Sequence, residues 1–311
     1  KFITYNMAGV VPSIQYDLLF DNAYDMYVVA TQECENSIRK SLCCNAKDAF
    51  KNIVDGRLRR LSQYSLLAEC EQNAMLLQIH VKSSLFKQFS CIRMTKTALG
   101  DCNCQNKNAL TIQFCFNGIG FSVSNLHLSH KQELKQKRAE QFEHFIEKLQ
   151  KKCFHKETFR FIMGDLNFRL DCNQLEYHQM NLAQRLEKEQ IKVILDKYQL
   201  NDLKQIDFEP SYKYSGVKFS SKQVPAWTDR IIYKQSGTVQ EMEQRMGIEC
   251  YCQVCGGMHM QNLQFQGQQQ KQLEFNVLNY EVINQFGSDH LPVVGVVEIG
   301  GYEQKYQIIC K

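Results

Sequence analysis

The chain contains 311 residues, of which 44% are hydrophobic and 23% are charged. This composition is typical of a globular protein that is large enough to bury a core without disulfide or metal support. The 37 basic and 33 acidic side chains leave a formal net charge of +4 at pH 7, which argues against a nucleic-acid-binding protein but permits a local basic pocket for an anionic substrate. The sequence contains no apolar run long enough to span a bilayer.

The cysteine pattern bears on the cellular compartment. The chain has 14 cysteines, but it shows neither the spacing of a disulfide framework nor a signal peptide at its start. We therefore expect reduced thiols and a cytoplasmic protein. Because the first residue is Lys1 rather than Met, we also expect the chain to be part of a longer protein.

Strand-like and helix-like patterns alternate along the chain. Apolar and β-branched runs predict strands at Phe2–Tyr5, Met26–Thr31, Asn73–Val81, Asn108–Phe116, Ile119–Leu126, Phe159–Met163, Arg230–Tyr233 and Pro292–Ile299. The dipeptide Asn117-Gly118 predicts a hairpin between the fourth and fifth of these strands. Apolar residues near a 3.6-residue period predict helices over Lys131–Lys152 and Gln174–Tyr198. Hairpins mixed with helices favour mixed rather than purely parallel sheets.

The segment at about 240–272 differs in composition from the rest of the chain. It contains clustered cysteines and a glutamine-rich stretch but little helical or strand periodicity. We interpret it as an insertion into a single domain that spans residues 1–311. Cys250, Cys252, Cys255 and His259 in this insertion could bind Zn²⁺. Their spacing is not that of a paired Cys-x-x-Cys site, so a loop of reduced cysteines is the alternative.

Polar residues recur where the predicted strands begin or end. These residues are Asn6, Glu33, Asn125, His127, Asp165, Asn167, Asp289 and His290. Any one of them alone is explained as a cap, a turn or a solvated side chain. A folded sheet gathers its strand ends along one edge, so together they predict a cluster of carboxylates, imidazoles and amides. This donor set suits a hard cation that acts on a phosphate ester.

The motifs around these residues resemble those of a known superfamily. Tyr5-Asn6-Met7, Gln32-Glu33, Asn125-Leu126-His127-Leu128, Gly164-Asp165-Leu166-Asn167-Phe168-Arg169 and Ser288-Asp289-His290-Leu291-Pro292-Val293 resemble the successive motifs of the endonuclease/exonuclease/phosphatase superfamily. Phe208-Glu209-Pro210-Ser211-Tyr212-Lys213-Tyr214 and Pro225-Ala226-Trp227-Thr228-Asp229-Arg230 are similar to signatures of its inositol polyphosphate 5-phosphatases. Asp25-Met26-Tyr27-Val28-Val29 leans toward the lipid-acting type IV branch.

The resemblance implies a fold and a set of catalytic roles. The implied fold is α/β (α+β), a DNase I-like four-layer sandwich of two mixed β-sheets flanked by helices. Mg²⁺ is the implied cofactor, held by Glu33 with Asn6 beside it and with support from Asp289. In the implied chemistry Asp165 takes a proton from the attacking water, and Asn167 orients either that water or an equatorial oxygen of the phosphoryl group. The remaining catalytic residues are His290 as an imidazolium, Asp229 behind it, and His127 as a second positive donor.

Substrate binding is implied for six residues. They are Tyr212, Lys213, Lys222, Lys107, Arg230 and Asn125. Arg230 directly follows Asp229, so a structural role is its alternative. The family commonly carries Lys-x-Arg-x-Pro before the Ala-Trp motif, whereas this chain reads Lys222-Gln223-Val224-Pro225 and lacks the arginine.

The resemblance implies a Mg²⁺-dependent phosphomonoesterase that removes the 5-phosphate of phosphoinositides, such as phosphatidylinositol 4,5-bisphosphate and 3,4,5-trisphosphate, and also of soluble inositol polyphosphates. It further implies a monomeric catalytic domain in the cytoplasm, peripheral at membranes, with no nucleic-acid partner. Two alternatives stay open. A nuclease of the same superfamily would share the Asp165 and His290 machinery but lack the Tyr-Lys-Tyr and Pro-Ala-Trp signatures. An inactive phosphoinositide-binding module would have lost a metal ligand or the base.

Overall fold

A computed structural model describes residues 1–35, 46–100, 107–117, 119–152, 157–236 and 274–300. The strands in these ranges are β1 (Phe2–Asn6), β2 (Met26–Gln32), β3 (Tyr64–Gln72), β4 (Met75–Lys82), β5 (Phe89–Ala98), β6 (Asn108–Phe116), β7 (Ile119–His127), β8 (Phe159–Asp165), β9 (Asn201–Asp202), β10 (Tyr214–Ser215), β11 (Lys218–Phe219), β12 (Asp229–Gln235), β13 (Glu274–Val282) and β14 (Val293–Gly300). The α-helices are α1 (Ala46–Leu61), α2 (Lys135–Lys152), α3 (Gln174–Gln179), α4 (Leu182–Glu187) and α5 (Lys192–Tyr198).

Two mixed sheets of six strands each form the centre of the described part of the chain. One has the strand order β13-β14-β1-β2-β4-β3, and the other has the order β5-β6-β7-β8-β12-β9. In each sheet the central pair, β1 with β2 or β7 with β8, is parallel and its other neighbours are antiparallel. The prediction of mixed sheets is therefore confirmed.

Side-chain alternation along the strands builds three apolar layers. Between the sheets, Phe2 and Val28 of the first sheet pack with Val123 and Phe161 of the second. The opposite face of the first sheet is covered by α1. The opposite face of the second is covered by α2 and α5. The four-layer, DNase I-like sandwich is thus confirmed, with each sheet buried on both faces.

The topology brings chemically active strand ends to one side of the sandwich. The parallel registers place Asn6 beside Gln32 and His127 beside Asp165. Because β12 runs antiparallel to β8, its first residue, Asp229, lies directly opposite Asp165. The expectation that these residues gather at one sheet edge holds, and the antiparallel strands contribute their amino ends to it.

The predicted strands are present, but several elements were not predicted from the sequence. These are α1, β3, β5, the short strands β9, β10 and β11, and β13. Strand β5 is an edge strand whose residues alternate between half-buried and exposed, so it carries many polar side chains. The insertion at about 240–272 lies outside the described residues, and the single-domain boundary stays a prediction. No helix among the described residues combines the length and apolarity needed to cross a membrane.

The prediction of one helix over Gln174–Tyr198 is wrong, because this stretch forms three short helices. Asn173 and Asn181 each begin a helix with a capping box, in which the asparagine side chain accepts from the backbone N–H three residues later. Between the first two helices Met180 is extended. Asparagine competes for backbone hydrogen bonds in a helix interior but satisfies them at an N-cap, so the helix restarts there.

We predict that Asn181→Ala lowers the free energy of unfolding by about 1 kcal/mol, because it removes the side-chain acceptor for the Gln184 N–H. Asn181→Asp keeps an acceptor and is the matched control, with little expected change. Urea unfolding followed by circular dichroism measures both. Equal stability of the alanine and aspartate variants would contradict the role of the capping box.

Candidate active site

Asp165 is the buried carboxylate at the centre of the site. It is the last residue of β8 and is 1% exposed. Its Oδ2 accepts from Asn6 Nδ2 at 2.9 Å, and its Oδ1 accepts from the backbone N–H of Asn167 at 3.1 Å. Burial raises the pKa of Asp165 above its ordinary value; the charge of Asp229 adds to the rise, whereas His290 opposes it. A carboxylate whose pKa moves toward neutrality is suited to general base catalysis.

Gly164 explains how β8 brings Asp165 so close to β7. Its φ of +129° lies in a region that side chains with a Cβ rarely adopt. A Cβ at this position would lie 2.1 Å from the backbone oxygen of Leu126. Glycine before Asp165 is therefore required by close backbone approach as well as by conformation.

Glu33, His127 and Asp165 form a group whose ligand atoms all lie within 4.8 Å of one another. Both carboxylates lie 3.5 Å from His127 Nε2, and Glu33 is partly exposed while Asp165 is buried. Glu33 has a φ of 50°, which is uncommon for a residue with a side chain and typical of functional sites. Two carboxylates with the Asn6 amide alongside fit a hard divalent cation that keeps part of its water shell.

The prediction that His127 is a second positive donor is wrong. Burial, with the charge of Lys107 adding to it, lowers the pKa of His127 well below its ordinary value. The Nζ of Lys107 lies 2.5 Å from His127 Nε2, so the ammonium donates to a neutral imidazole. Lys107, whose pKa burial lowers to about 8, therefore carries the positive charge at this point of the site.

His290 and Asp229 form a buried ion pair on the other side of Asp165. His290 Nδ1 lies 2.8 Å from Asp229 Oδ2, which also accepts from the hydroxyls of Ser211 and Thr228. Burial alone would lower the pKa of His290, but the charge of Asp229 and the hydrogen bond to it raise that pKa to about 9. His290 is therefore an imidazolium at neutral pH, as the resemblance implied.

The predicted substrate-binding residues Tyr212 and Lys213 lie next to this pair. The Tyr212 ring centroid is 4.3 Å from that of His290, and Lys213 Nζ lies 3.0 Å from Asp289 Oδ2. Asp289 is thus an ion-pair partner of Lys213 and is not a member of the metal-ligand groups found among the described residues. Lys222 is exposed on the turn after β11.

Two predicted substrate-binding residues lie away from the substrate side. Asn125 is fully buried: its Nδ2 donates to the backbone oxygens of Thr31 and Leu76, and its Oδ1 accepts from Gln32. It links the two sheets and has no exposed surface for a substrate. Arg230 is also fully buried and pairs with Asp202 and Glu189, which confirms its structural alternative.

Asn167 and Arg169 complete the site, and sequence reasoning gave no role to Arg169. Asn167 Nδ2 donates to the backbone oxygen of Leu128, and its Oδ1 accepts from Arg169 Nη2 at 2.6 Å. Arg169 also lies over the Tyr212 ring, with Cζ 4.3 Å from its centroid. The signal for Arg169 was its place at the end of the Gly-Asp-Leu-Asn-Phe-Arg motif. Cys250, Cys252, Cys255 and His259 lie outside the described residues, so the zinc site stays a prediction.

The chain is similar in sequence to known phosphatases. The model of Endonuclease/Exonuclease/phosphatase family 2 matches residues 3–296. A phosphatidylinositol 3,4,5-trisphosphate 5-phosphatase 1 of Xenopus laevis is 27% identical over 179 residues, covering 46% of this chain and 17% of the relative. The human phosphatidylinositol 3,4,5-trisphosphate 5-phosphatase 2 is 27% identical over 248 residues, covering 68% of this chain and 18% of the relative. The matched part of the chain thus spans only 17% and 18% of the length of these relatives.

Solved structures share the fold at low sequence identity. The inositol polyphosphate 5-phosphatase domain of SPsynaptojanin, solved with inositol (1,4)-bisphosphate and calcium, has a TM-score of 0.69 and 19% identity, covering 96% of this chain and 84% of that chain. A Cimex nitrophorin, solved as a ferrous NO complex, has a TM-score of 0.66 and 16% identity, covering 96% of both chains. Proteins as different as these share the fold, so function must be argued from the side chains.

We predict that His290 keeps its proton to about pH 9 and that Asp229→Asn lowers its pKa below the ordinary 6.5, because burial then acts without the opposing carboxylate. Histidine NMR titration of both proteins measures this. Since the folded-state pKa exceeds the ordinary value, the stabilisation by this pair is complete below pH 6.5 and is lost as the pH rises through about 9. An unchanged His290 midpoint in the variant would contradict the pairing.

Proposed function

The chain belongs to Endonuclease/Exonuclease/phosphatase family 2, and from that premise we propose that it is a Mg²⁺-dependent phosphomonoesterase that hydrolyses the 5-phosphate of phosphoinositides. The resemblance of its motifs to this superfamily, and with it the prediction of an enzyme of this family, is confirmed. The observation that carries the proposal is the placement of Asp165 between a buried imidazolium pair and a cluster that suits a hard cation. The lean toward the type IV branch stays a prediction.

The site's own residues supply a base and a phosphate-binding cation. Asp165 takes the proton of the attacking water at a carboxylate oxygen, and its raised pKa favours that transfer. The His290 imidazolium binds an oxygen of the scissile phosphoryl group through Nε2, because Nδ1 is engaged by Asp229. Lys107 adds a second positive charge near Asp165. Charge on both sides of the phosphoryl group favours the transition state over the dianionic substrate.

Glu33, with Asn6 beside it, would hold the magnesium ion next to Asp165. When bound, Mg²⁺ supplies Lewis-acid stabilisation of charge on the phosphoryl and leaving oxygens. His127 is a poor ligand for it, because its Nε2 already accepts from Lys107. The Glu33 carboxylate is also the hard oxygen donor that Mg²⁺ prefers over imidazole.

Recognition of the inositol ring is assigned to Tyr212, Lys213 and Lys222. Lys213 and Tyr212 lie beside His290, where a phosphate next to the scissile one would reach them. The ammonium of Lys213 must exchange Asp289 for that phosphate. The synaptojanin domain was solved with inositol (1,4)-bisphosphate, which is what remains of inositol 1,4,5-trisphosphate after loss of the 5-phosphate. That chemistry supports transfer of a 5-phosphoryl group to water here, with the inositol 5-hydroxyl as the leaving group.

A lipid substrate is supported by an apolar rim beside the site. Val10, Val217 and Phe286 are 48%, 69% and 39% exposed. Their segments are contiguous: Phe286 packs on Tyr214 of the β10–β11 hairpin, and Gly287 lies against Pro12 of the loop that follows β1. The hairpin joins the site directly, because the backbone N–H of Tyr214 donates to the backbone oxygen of Asp289. Exposed apolar residues with lysines nearby are typical of a membrane-facing surface.

This rim leads us to propose a cytoplasmic enzyme that acts peripherally at membranes, with soluble inositol polyphosphates as secondary substrates. A nuclease of the same superfamily is the alternative that shares the base and the imidazolium. The nuclease is disfavoured by the presence of Tyr212 and Lys213 beside His290 and by the modest formal net charge of +4. An inactive binding module is disfavoured because Glu33, Asp165 and His290 all lie within the site.

Phosphate release tests the proposed function. We expect the protein to release phosphate from short-chain phosphatidylinositol 4,5-bisphosphate in the presence of Mg²⁺, to stop when EDTA is added, and to leave single-stranded DNA intact. Asp165→Asn should lower turnover by about 10²- to 10⁴-fold, because an amide cannot take the proton. Cleavage of DNA with no phosphate release would support the nuclease, and activity that resists EDTA would remove the metal from the mechanism.

The rim makes a prediction about substrate presentation. Val217→Asp should lower turnover of phosphatidylinositol 4,5-bisphosphate in anionic vesicles while leaving turnover of inositol 1,4,5-trisphosphate unchanged, because a carboxylate there is repelled by the membrane surface. Leu175→Asp is the matched control, since Leu175 is also 69% exposed but lies on α3. Equal losses on both substrates, or the same loss in the control, would contradict a membrane-facing rim.

A further inference from the structure

Arg169 is a buried cation whose described partners carry no charge. It is 6% exposed, its Nη2 donates to Asn167 Oδ1 at 2.6 Å and lies 3.5 Å from the backbone oxygen of His130, and its guanidinium lies over the Tyr212 ring. A guanidinium taken out of water without a carboxylate is costly unless its surroundings use it. Its position between two catalytic surfaces suggests what that use is.

The first surface is the Asp165–Asn167 turn. Asn167 has a φ of 55° and donates its backbone N–H to Asp165 Oδ1, so its side chain starts from a fixed point beside the base. Arg169 donates to its Oδ1, and the backbone oxygen of Leu128 accepts from its Nδ2. An amide has two N–H donors, so the second donor on Nδ2 points in a direction that these two contacts define.

The second surface is the Tyr212–His290 stack. The Tyr212 ring lies 4.3 Å from the guanidinium carbon of Arg169 and has its centroid 4.3 Å from the centroid of the His290 ring. Tyr212 thus packs against both cations. Cations are attracted to the face of an aromatic ring, so the guanidinium helps to fix Tyr212 and, through it, His290.

We propose that Arg169 is a positioning residue that couples the orientation of Asn167 to that of Tyr212 and His290. The inference rests on the proposed phosphatase function and deepens it. A guanidinium carries its N–H donors on a rigid plane, so Arg169 can donate to Asn167 from Nη2 while its Cζ lies 4.3 Å from the Tyr212 ring centroid, whereas an ammonium is a compact point charge that cannot make both contacts in this geometry. Arginine is therefore required here for shape as well as for charge.

The loop that carries Arg169 is held independently of its guanidinium. The backbone N–H of Arg169 donates to Gln190 Oε1, and Arg138 donates to the same oxygen from Nη2 at 2.6 Å. The backbone N–H of Leu166 donates to the Thr228 oxygen. Substitution of the Arg169 side chain consequently leaves the backbone supports in place, so its effect on turnover can be measured in a folded protein.

The test is a double-mutant cycle on phosphate release from phosphatidylinositol 4,5-bisphosphate. We expect Arg169→Met to lower kcat by about 10²-fold with little change in KM, as misplacement of a catalytic group does. In the Asn167→Ala background the same change should lower kcat far less, because one group that it positions is already gone. Arg169→Lys should resemble Arg169→Met. Arg185→Met is the matched control, since Arg185 lies 4.1 Å over the Tyr177 ring in a similar stack, and it should leave kcat unchanged.

A measurement without substrate separates this inference from the proposed function. In protein labelled with ¹⁵N-asparagine, the Asn167 side-chain amide signals, assigned by their loss in Asn167→Ala, should shift in Arg169→Met and Arg169→Lys but not in Arg185→Met. If the wild type released no phosphate, the proposed function would fail while this readout still tested the positioning. Unchanged amide signals, equal kcat losses in both backgrounds, or full rescue by lysine would each overturn the proposal.

Discussion

The packing of two sheets face to face buries polar groups at one end of their interface, and each of these groups must find a partner there. Asn125 shows how the requirement is met: from β7 it bonds the backbone oxygens of Thr31 and Leu76 and the side chain of Gln32, all in the facing sheet. Asn6 makes the equivalent link by donating to Asp165. These cross-sheet hydrogen bonds fix the separation of the sheets at the place where the catalytic side chains emerge.

This packing has an electrostatic consequence. Asp165 and Asp229 lie opposite each other on neighbouring strands, and both are buried. Two like charges so close raise the free energy of the charged state, which is relieved when one of them pairs with a cation. Burial raises the pKa of Asp165 and the charge of Asp229 adds to the rise, whereas His290 pairs with Asp229 and partly offsets it. The register of the strands therefore gives the two groups different roles, with His290 as a fixed imidazolium and Asp165 as a basic carboxylate.

The sequence predicted the strand ends better than the environments of the side chains. Apolar runs bounded by polar residues located β1, β2, β7 and β8 within a residue or two, because buried strands carry a strong signal. Edge strands such as β5 were missed, since half of their side chains face solvent. The charge of His127 could not be predicted either, because it depends on burial and on Lys107, which lies 20 residues earlier in the chain, just before β6.

Three buried arginines illustrate the same limit. Arg230 pairs with Asp202 and Glu189, and Arg138 donates to backbone oxygens of the loop that follows β7 and to Gln190. The terminal nitrogens of both are bonded to groups that the fold itself supplies. Arg169 instead donates to the side chain of Asn167 and lies over the ring of Tyr212, two residues of the candidate site. In the sequence these three arginines look alike, because each is one positive charge. Only the partners that the fold brings to each of them distinguish an arginine that supports the structure from one that positions catalytic groups.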